Sequence, residues 1–410
     1  MDRAFTSMGV DIASDHHLHH TLVLRLPGEP PGLQLLQRHV AARIERLPAL
    51  TVRLGARNRR WTAGPPVRIA DQVRALAVPP GGVAALEHCL AGQDLPEGTL
   101  WSLTLAHGYA DDEYALCYHS HHAFQDGQAA MHVLQVLFGV QPDVTDTRDP
   151  GPRWRAVRAV RPAGLAAVMA GLARSLLPAP HMSEALAGGV RGIGRSSPAT
   201  TERRVGSVDV DGLRMHRLAR RAHVSVNDIY LTCVAAALTE HAGPQRRHAC
   251  VPLDLRGRGE DTDGPGNCLG MARVALGEGP EGPTPAEVCR ASRHTRSPHY
   301  RAAMRALLDL APGPVARWAT RHLLSPGSTQ LVASYMAFPR SLAFAGRTAH
   351  DVYAIPPLLP GHVCFSVLST YGRKVRVAFS SAPGDPEPQC LTDAWYQALE
   401  RLEALSQREP

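Results

Sequence analysis

Short apolar runs closed by turn residues alternate with helix-period segments along this chain of 410 residues, on both sides of a long Pro- and Gly-rich stretch. Four to eight apolar or alternating residues fit a strand, whereas apolar residues three and four apart fit one face of a helix. Leu22-Val23-Leu24-Arg25-Leu26 is predicted to be a strand stopped by Pro27-Gly28. Leu33, Leu36, Val40, Ile44 and Leu47 mark one amphipathic helix across 33–47. Two strands, 101–105 and 114–119, flank the acidic turn Asp111-Asp112-Glu113, and a helix follows over 128–138. Beyond the Pro-rich stretch come a strand at 205–210, a helix at 213–221, and a second helix whose N-cap position falls on Asn227. A further strand is predicted at 250–256, and a hairpin joins 363–368 to 375–379 through Tyr371-Gly372-Arg373. A helix over 391–405 closes the chain. Strands interleaved with helices in both halves predict an α/β (α+β) protein.

A single hydrophobic core stops growing at about 250–300 residues, so a chain of this length is expected to divide. The division is placed at 141–201, where Gln141-Pro142, Asp149-Pro150-Gly151-Pro152 and Leu177-Pro178-Ala179-Pro180 surround one amphipathic helix near 164–177. This gives a first subdomain at 1–140, a crossover linker with one helix at 141–201, and a second subdomain at 202–410.

Composition removes several classes of function. With 44% hydrophobic and 20% charged residues the chain has the balance of a folded globular protein. Its 44 basic and 37 acidic side chains leave a formal charge of +7, spread without the dense basic run of a nucleic-acid arm. No nucleic-acid partner is expected, and a modest positive field favours an anionic substrate such as one carrying phosphates. The eight cysteines include no C-x-x-C pair and read as reduced, mostly buried thiols of a cytoplasmic protein. Met1-Asp2-Arg3-Ala4-Phe5 does not open a secretion signal, and no segment reaches the roughly 18 apolar residues of a membrane span. The helix near 164–177, interrupted by Arg174, leaves a peripheral membrane contact open.

Chemistry concentrates in His121-His122-Ala123-Phe124-Gln125-Asp126-Gly127, at the end of a predicted strand. A histidine with an ordinary pKa of about 6.5 accepts a proton near neutral pH. Acyl transfer from a thioester needs that step, because the acceptor hydroxyl or amine must lose its proton as it attacks, and a positioned base contributes about 10²- to 10⁴-fold. His122 is the candidate base, while His121 is expected to pack and hold the loop. Asp126 is expected to pair with an arginine, and Gly127 to allow a backbone conformation or close approach that a side chain would forbid. A second histidine cluster, His16-His17-Leu18-His19-His20, carries ligands suited to zinc or nickel. Without a nearby cysteine or a His-Glu-x-x-His pattern it reads as a solvated or adventitious site, and no metal is assigned.

The seven-residue motif resembles the HHxxxDG signature of the superfamily that contains chloramphenicol acetyltransferase, nonribosomal peptide condensation domains and the wax ester synthase/diacylglycerol acyltransferases. The last branch is the most similar, because the likeness continues outside the motif. Leu100-Trp101 resembles its Pro-Leu-Trp element, and Val226-Asn227-Asp228-Ile229 its Asn-Asp helix start. Val251-Pro252-Leu253-Asp254-Leu255-Arg256 followed by Gly266-Asn267 is similar to its Pro-Val-Ser-Leu-Arg and Gly-Asn pair, and the stretches at 353–358 and 367–373 are similar to its C-terminal segment. One departure stands out. Relatives carry an arginine after the first helix that pairs with the motif aspartate, and here the stretch is Leu50-Thr51-Val52-Arg53, leaving Arg53 or Arg256 for that role. Asp254 and Arg256 are otherwise expected to pair at a strand end.

The resemblance implies two chloramphenicol-acetyltransferase-like subdomains forming a V-shaped pseudo-dimer with the active-site tunnel between them. It implies direct attack of a small-molecule acceptor on an acyl-CoA or acyl-carrier-protein thioester, with no cofactor beyond that co-substrate and no acyl-enzyme. It implies an oxyanion donor from the second half, for which Ser366 and Ser369 are the candidates, and places Asn227 as a tunnel-lining candidate. Two versions of the enzyme remain, a lipid-ester synthase and a tailoring enzyme of secondary metabolism. The alternatives from other classes are a non-catalytic condensation-like module that recruits a carrier protein, and a metal-dependent hydrolase using the N-terminal histidines. Intact His122 and Asp126 weigh against the first.

Overall fold

A computed structural model describes residues 18–54, 61–140, 202–242, 247–256, 264–277, 282–310, 329, 331–338, 340–359 and 362–407. The expected linker at 141–201, and His16 and His17, lie outside the described residues. The protein is mixed α/β, and its described residues fall into two compact units that are not consecutive in the chain. The first takes in the residues up to 140 together with those of 256–268 and 338–353. The second takes in those of 202–255, 269–337 and 354–407.

A five-stranded sheet organises the first unit, in the order β13-β1-β6-β5-β4. Here β1 is His19–Pro27, β4 Val73–Ala77, β5 Trp101–His107, β6 Glu113–His121 and β13 Asp351–Ile355. β1 and β5 each run antiparallel to β6, and β4 runs parallel to β5. The β1–β6 register pairs Leu22 with Tyr118, Val23 with Cys117 and His19 with His121. Both strands are buried on both faces over most of their length, which is why their sequences are nearly continuous apolar runs rather than alternating ones. A minor ribbon pairs β2 (Val52–Leu54) with β3 (Trp61–Ala63), and another pairs β11 (Ala343–Phe344) with β12 (Arg347–Thr348).

Four helices lie among the described residues of this unit: α1 (Leu33–Ala41), α2 (Ile69–Gln72), α3 (Gly82–Ala91) and α4 (Gly127–Phe138). The single helix expected over 33–47 is shorter, ending at Ala41 and giving way to 3₁₀ turns at Ile44–Arg46 and Pro48–Thr51. Pro48 has no N–H to continue a helical ladder. The tighter turns also bury Leu47 and Leu50, whose carbonyl accepts from Trp101 Nε1 at 3.0 Å. The histidines expected at a solvated site are corrected in the same way. His19 and His20 are buried in β1, 1% and 5% exposed, as successive residues facing opposite sides of a doubly covered strand.

The second unit carries a six-stranded sheet in the order β7-β15-β14-β10-β8-β9. These strands are β7 (Arg204–Asp211), β8 (His248–Asp254), β9 (Leu269–Ala275), β10 (Leu331–Phe338), β14 (Cys364–Tyr371) and β15 (Lys374–Ser381). The expected hairpin is β14–β15, closed by the two residues Gly372-Arg373 with Gly372 at φ +58°. Its helices are α5 (Gly212–Arg221), α6 (Val226–Ala242), α7 (Pro285–Ser292), α8 (Pro298–Leu310) and α9 (Pro388–Ser406). α6 and α9 share the core with the sheet, where Trp395 is buried and donates to Tyr230 O at 3.3 Å. The N-cap assigned to Asn227 belongs to Ser225. Ser225 Oγ accepts from Asp228 N–H at 3.2 Å, and the Asp228 carboxylate accepts from Ser225 N–H at 2.9 Å, a reciprocal cap that places Asn227 inside the first turn.

Candidate active site

The strand β6 ends at His121, and the turn that begins with His122 is held by several hydrogen bonds. His121 N–H donates to Leu100 O at 2.9 Å and His122 N–H to Leu18 O at 2.8 Å. His121 O accepts from Phe124 N–H and Gln125 N–H, while its Nδ1 accepts from Ala123 N–H at 3.1 Å. That contact keeps Nδ1 of His121 unprotonated and commits the ring to shaping the loop. Gln125 is 1% exposed, and its Oε1 accepts from Tyr118 Oη at 2.6 Å and Ser120 Oγ at 3.0 Å.

Asp126 is fully buried and satisfies four donors. Oδ1 accepts from Gln128 N–H and Ala129 N–H at 3.1 and 3.0 Å, which makes it the N-cap of α4. Oδ2 accepts from Arg256 Nη2 at 2.8 Å and Cys268 N–H at 2.9 Å. A carboxylate suits this place because it faces both a guanidinium and the positive end of a helix. Of the two arginines left open by Thr51, the partner is Arg256, and Arg53 is exposed on β2. Arg256 therefore serves the loop that carries Asp126. Gly127 is the first residue of α4 and its φ is not in the left-handed region, so the conformational freedom expected of it is not what the position uses.

Residues 264–268 run against this loop. Gly266, at φ +101°, donates its N–H to Phe124 O and bridges Gln125, with Trp61 Nε1 at 3.6 Å from where its side chain would start. A left-handed backbone there favours glycine, while the Trp61 contact alone would leave room for a Cβ. The next residue, Asn267, meets His122 twice: its Oδ1 lies 3.2 Å from Nδ1, and its Nδ2 donates to His122 O at 2.6 Å. His122 is half-buried, and its ring meets that of His20 edge-on at 5.3 Å. Burial holds its pKa below the ordinary 6.5, and it outweighs the opposing pull of its own carbonyl, Asp126 and Asn267.

The other sequence candidates sit in the second unit. Asn227 is half-buried in the first turn of α6. Ser366 and Ser369 are both buried on β14 but, three residues apart, on opposite faces. Ser366 shares the face of Cys364 and Leu368 and lies beside the Tyr230 hydroxyl in the core. Ser369 Oγ accepts from Ala354 N–H at 3.0 Å. The role of Asn267 is the feature the sequence did not disclose. Its only signal was the Gly266-Asn267 pair after a predicted strand, which says nothing of a histidine 145 residues earlier.

Two family models match the chain. The wax ester synthase/diacylglycerol acyltransferase catalytic domain covers residues 1–230 and the C-terminal domain of the same family covers 282–403. The chain belongs to this family of acyltransferases. Among solved structures it is similar to the wax ester synthase/diacylglycerol acyltransferase from Marinobacter aquaeolei VT8, at 18% identity over 95% of each chain with a TM-score of 0.64. It is also similar to a starter condensation domain of rhizomide synthetase in complex with C8-CoA and Leu-SNAC, at 15% identity over 98% of this chain and 92% of that one, TM-score 0.62. The first condensation domain of the CDA synthetase follows at 18% identity over 99% and 94%, TM-score 0.61. At these identities the likeness is one of fold. No curated protein matches the chain as a sequence relative. Among the described residues, no helix is long and apolar enough to cross a membrane, and no group of three or more His, Cys, Asp or Glu side chains is arranged to hold a metal.

Proposed function

We propose that this acyltransferase moves an acyl group from a CoA or carrier-protein thioester directly to a hydroxyl or amine acceptor, with His122 as the general base. The observation that carries the reading is the imidazole of His122. It is half-buried at the start of a loop tied by backbone hydrogen bonds, and burial holds its pKa below the ordinary 6.5, which favours the neutral ring near neutral pH. A neutral ring takes the acceptor proton as the acceptor oxygen or nitrogen attacks the thioester carbonyl. When the tetrahedral intermediate collapses, the carbon–sulfur bond breaks and the thiolate recovers that proton from the imidazolium. A CoA-type donor is supported by the rhizomide synthetase domain, which binds C8-CoA. Direct transfer is supported by Cys117, the cysteine of β6 nearest the loop in sequence, whose thiol is fully buried and whose pKa burial pushes far upward.

Incubation with a panel of acyl-CoAs, with and without alcohols and amines, tests the reading by release of free thiol. Release is expected to depend on the acceptor and to fall by about 10²-fold or more in His122→Ala, without loss of the circular dichroism signal. Acceptor-dependent release within tenfold of the parent in His122→Ala would overturn it.

A further inference from the structure

We infer that Asn267 is a positioning residue that sets the tautomer of His122, fixing the proton on Nδ1 so that Nε2 carries the lone pair that receives the acceptor proton. The inference rests on the proposed role of His122 as base, and the argument comes from the two ends of one amide. A backbone carbonyl only accepts, so the Asn267 atom 2.6 Å from His122 O must be the NH₂ group. The atom facing Nδ1 at 3.2 Å is then the amide oxygen, which also only accepts. Nδ1 must therefore donate, and a neutral imidazole with its proton on Nδ1 has its lone pair on Nε2. The His122 carbonyl, which the ring itself approaches, favours the same form.

The clamp does not move on its own. Gly266 is tied to Phe124 O, and Cys268 N–H is tied to Asp126 Oδ2, so the residues on either side of Asn267 are bound to the loop that carries His122. A neutral amide also differs from the carboxylate found beside many catalytic histidines. A carboxylate would stabilise the imidazolium and raise the pKa, whereas an amide fixes the tautomer and leaves the ring neutral.

Two variants and two measurements test this. In protein labelled with ¹⁵N-histidine, the His122 ring, assigned by comparison with His122→Gln, is expected to show a protonated Nδ1 and an unprotonated Nε2 at neutral pH. In Asn267→Ala the Nε2-protonated form is expected to appear, with kcat down by about 10²-fold and KM little changed. Asn267→Asp keeps an acceptor toward Nδ1, so more activity should survive than in the alanine variant. Its negative charge moves the acid limb of kcat/KM upward in pH by about 1 unit or more. In the parent that limb is expected below 6.5, because burial lowers the His122 pKa and activity should be lost as pH falls through it. A parent His122 protonated on Nε2 overturns the inference, as does an Asn267→Ala protein with parental kcat, or an acid limb unmoved in Asn267→Asp. If His122→Ala is inactive while the parent ring proves Nε2-protonated, the base survives and only the role of Asn267 falls. If His122→Ala is active, the base reading falls first.

Discussion

Asp126 carries two duties that a shorter reading of the motif would merge. It caps α4 through Gln128 and Ala129, and it closes a buried ion pair with Arg256, whose side chain is 9% exposed. The two partners should therefore not cost the same to remove. Asp126→Ala removes the carboxylate that Arg256 pairs with and the acceptor of three backbone N–H groups, and breaking a buried pair in this way costs about 3–5 kcal/mol. Arg256→Ala leaves the carboxylate with three backbone donors and a helix N-terminus, so its cost should stay nearer the 1–3 kcal/mol of a charged hydrogen bond. Thermal unfolding of both variants is expected to show a clearly larger drop in Tm for Asp126→Ala. Equal drops, or the reverse order, would mean that the guanidinium rather than the capping of α4 holds the loop.

At the scale of elements, the strands were the most legible part of the sequence. β5, β6, β7 and the β14–β15 hairpin follow from apolar runs and from Gly372 at a two-residue turn, because these signals are local. Helix starts were less so. Asn and Ser both make good caps, and residue type alone does not show that the cap falls on Ser225 and not on Asn227. The reciprocal Ser225–Asp228 contact decides it, and Ser292 Oγ and Arg296 add to the same buried carboxylate. Ser225→Ala should therefore lower stability by about 1 kcal/mol, within the 0.5–2 kcal/mol range of lost caps, whereas Asn227→Ala should cost less. Chemical denaturation of the two variants side by side distinguishes them, and a larger loss for Asn227→Ala would return the cap to that residue. The truncation of α1 at Ala41 has the same lesson, since the apolar spacing continues to Leu47 while Pro48 and the bond from Trp101 to the Leu50 carbonyl favour the 3₁₀ turns.

For the whole molecule, the information missing from the linear sequence is long-range pairing. His122, Asp126 and Gly127 stand together in one motif, but Arg256 and Asn267 reach them across 130 and 145 residues, beyond any periodicity. The first unit is consequently not a segment that can be cut from the chain. Arg25, 12% exposed, pairs with Glu113 nearby and with Asp351 at the far end of the sequence. β1 has β13 as its second neighbour in the sheet. A fragment of residues 1–201 would keep the motif yet leave the fully buried Asp126 without its guanidinium, Arg25 without one of its carboxylates and β1 as an open edge. Such a fragment is expected to lack a cooperative urea transition and a dispersed amide NMR spectrum, and to bring no acceptor-dependent thiol release. A cooperatively unfolding, well-dispersed 1–201 fragment would show that 256–268 and 338–353 decorate this unit instead of completing it.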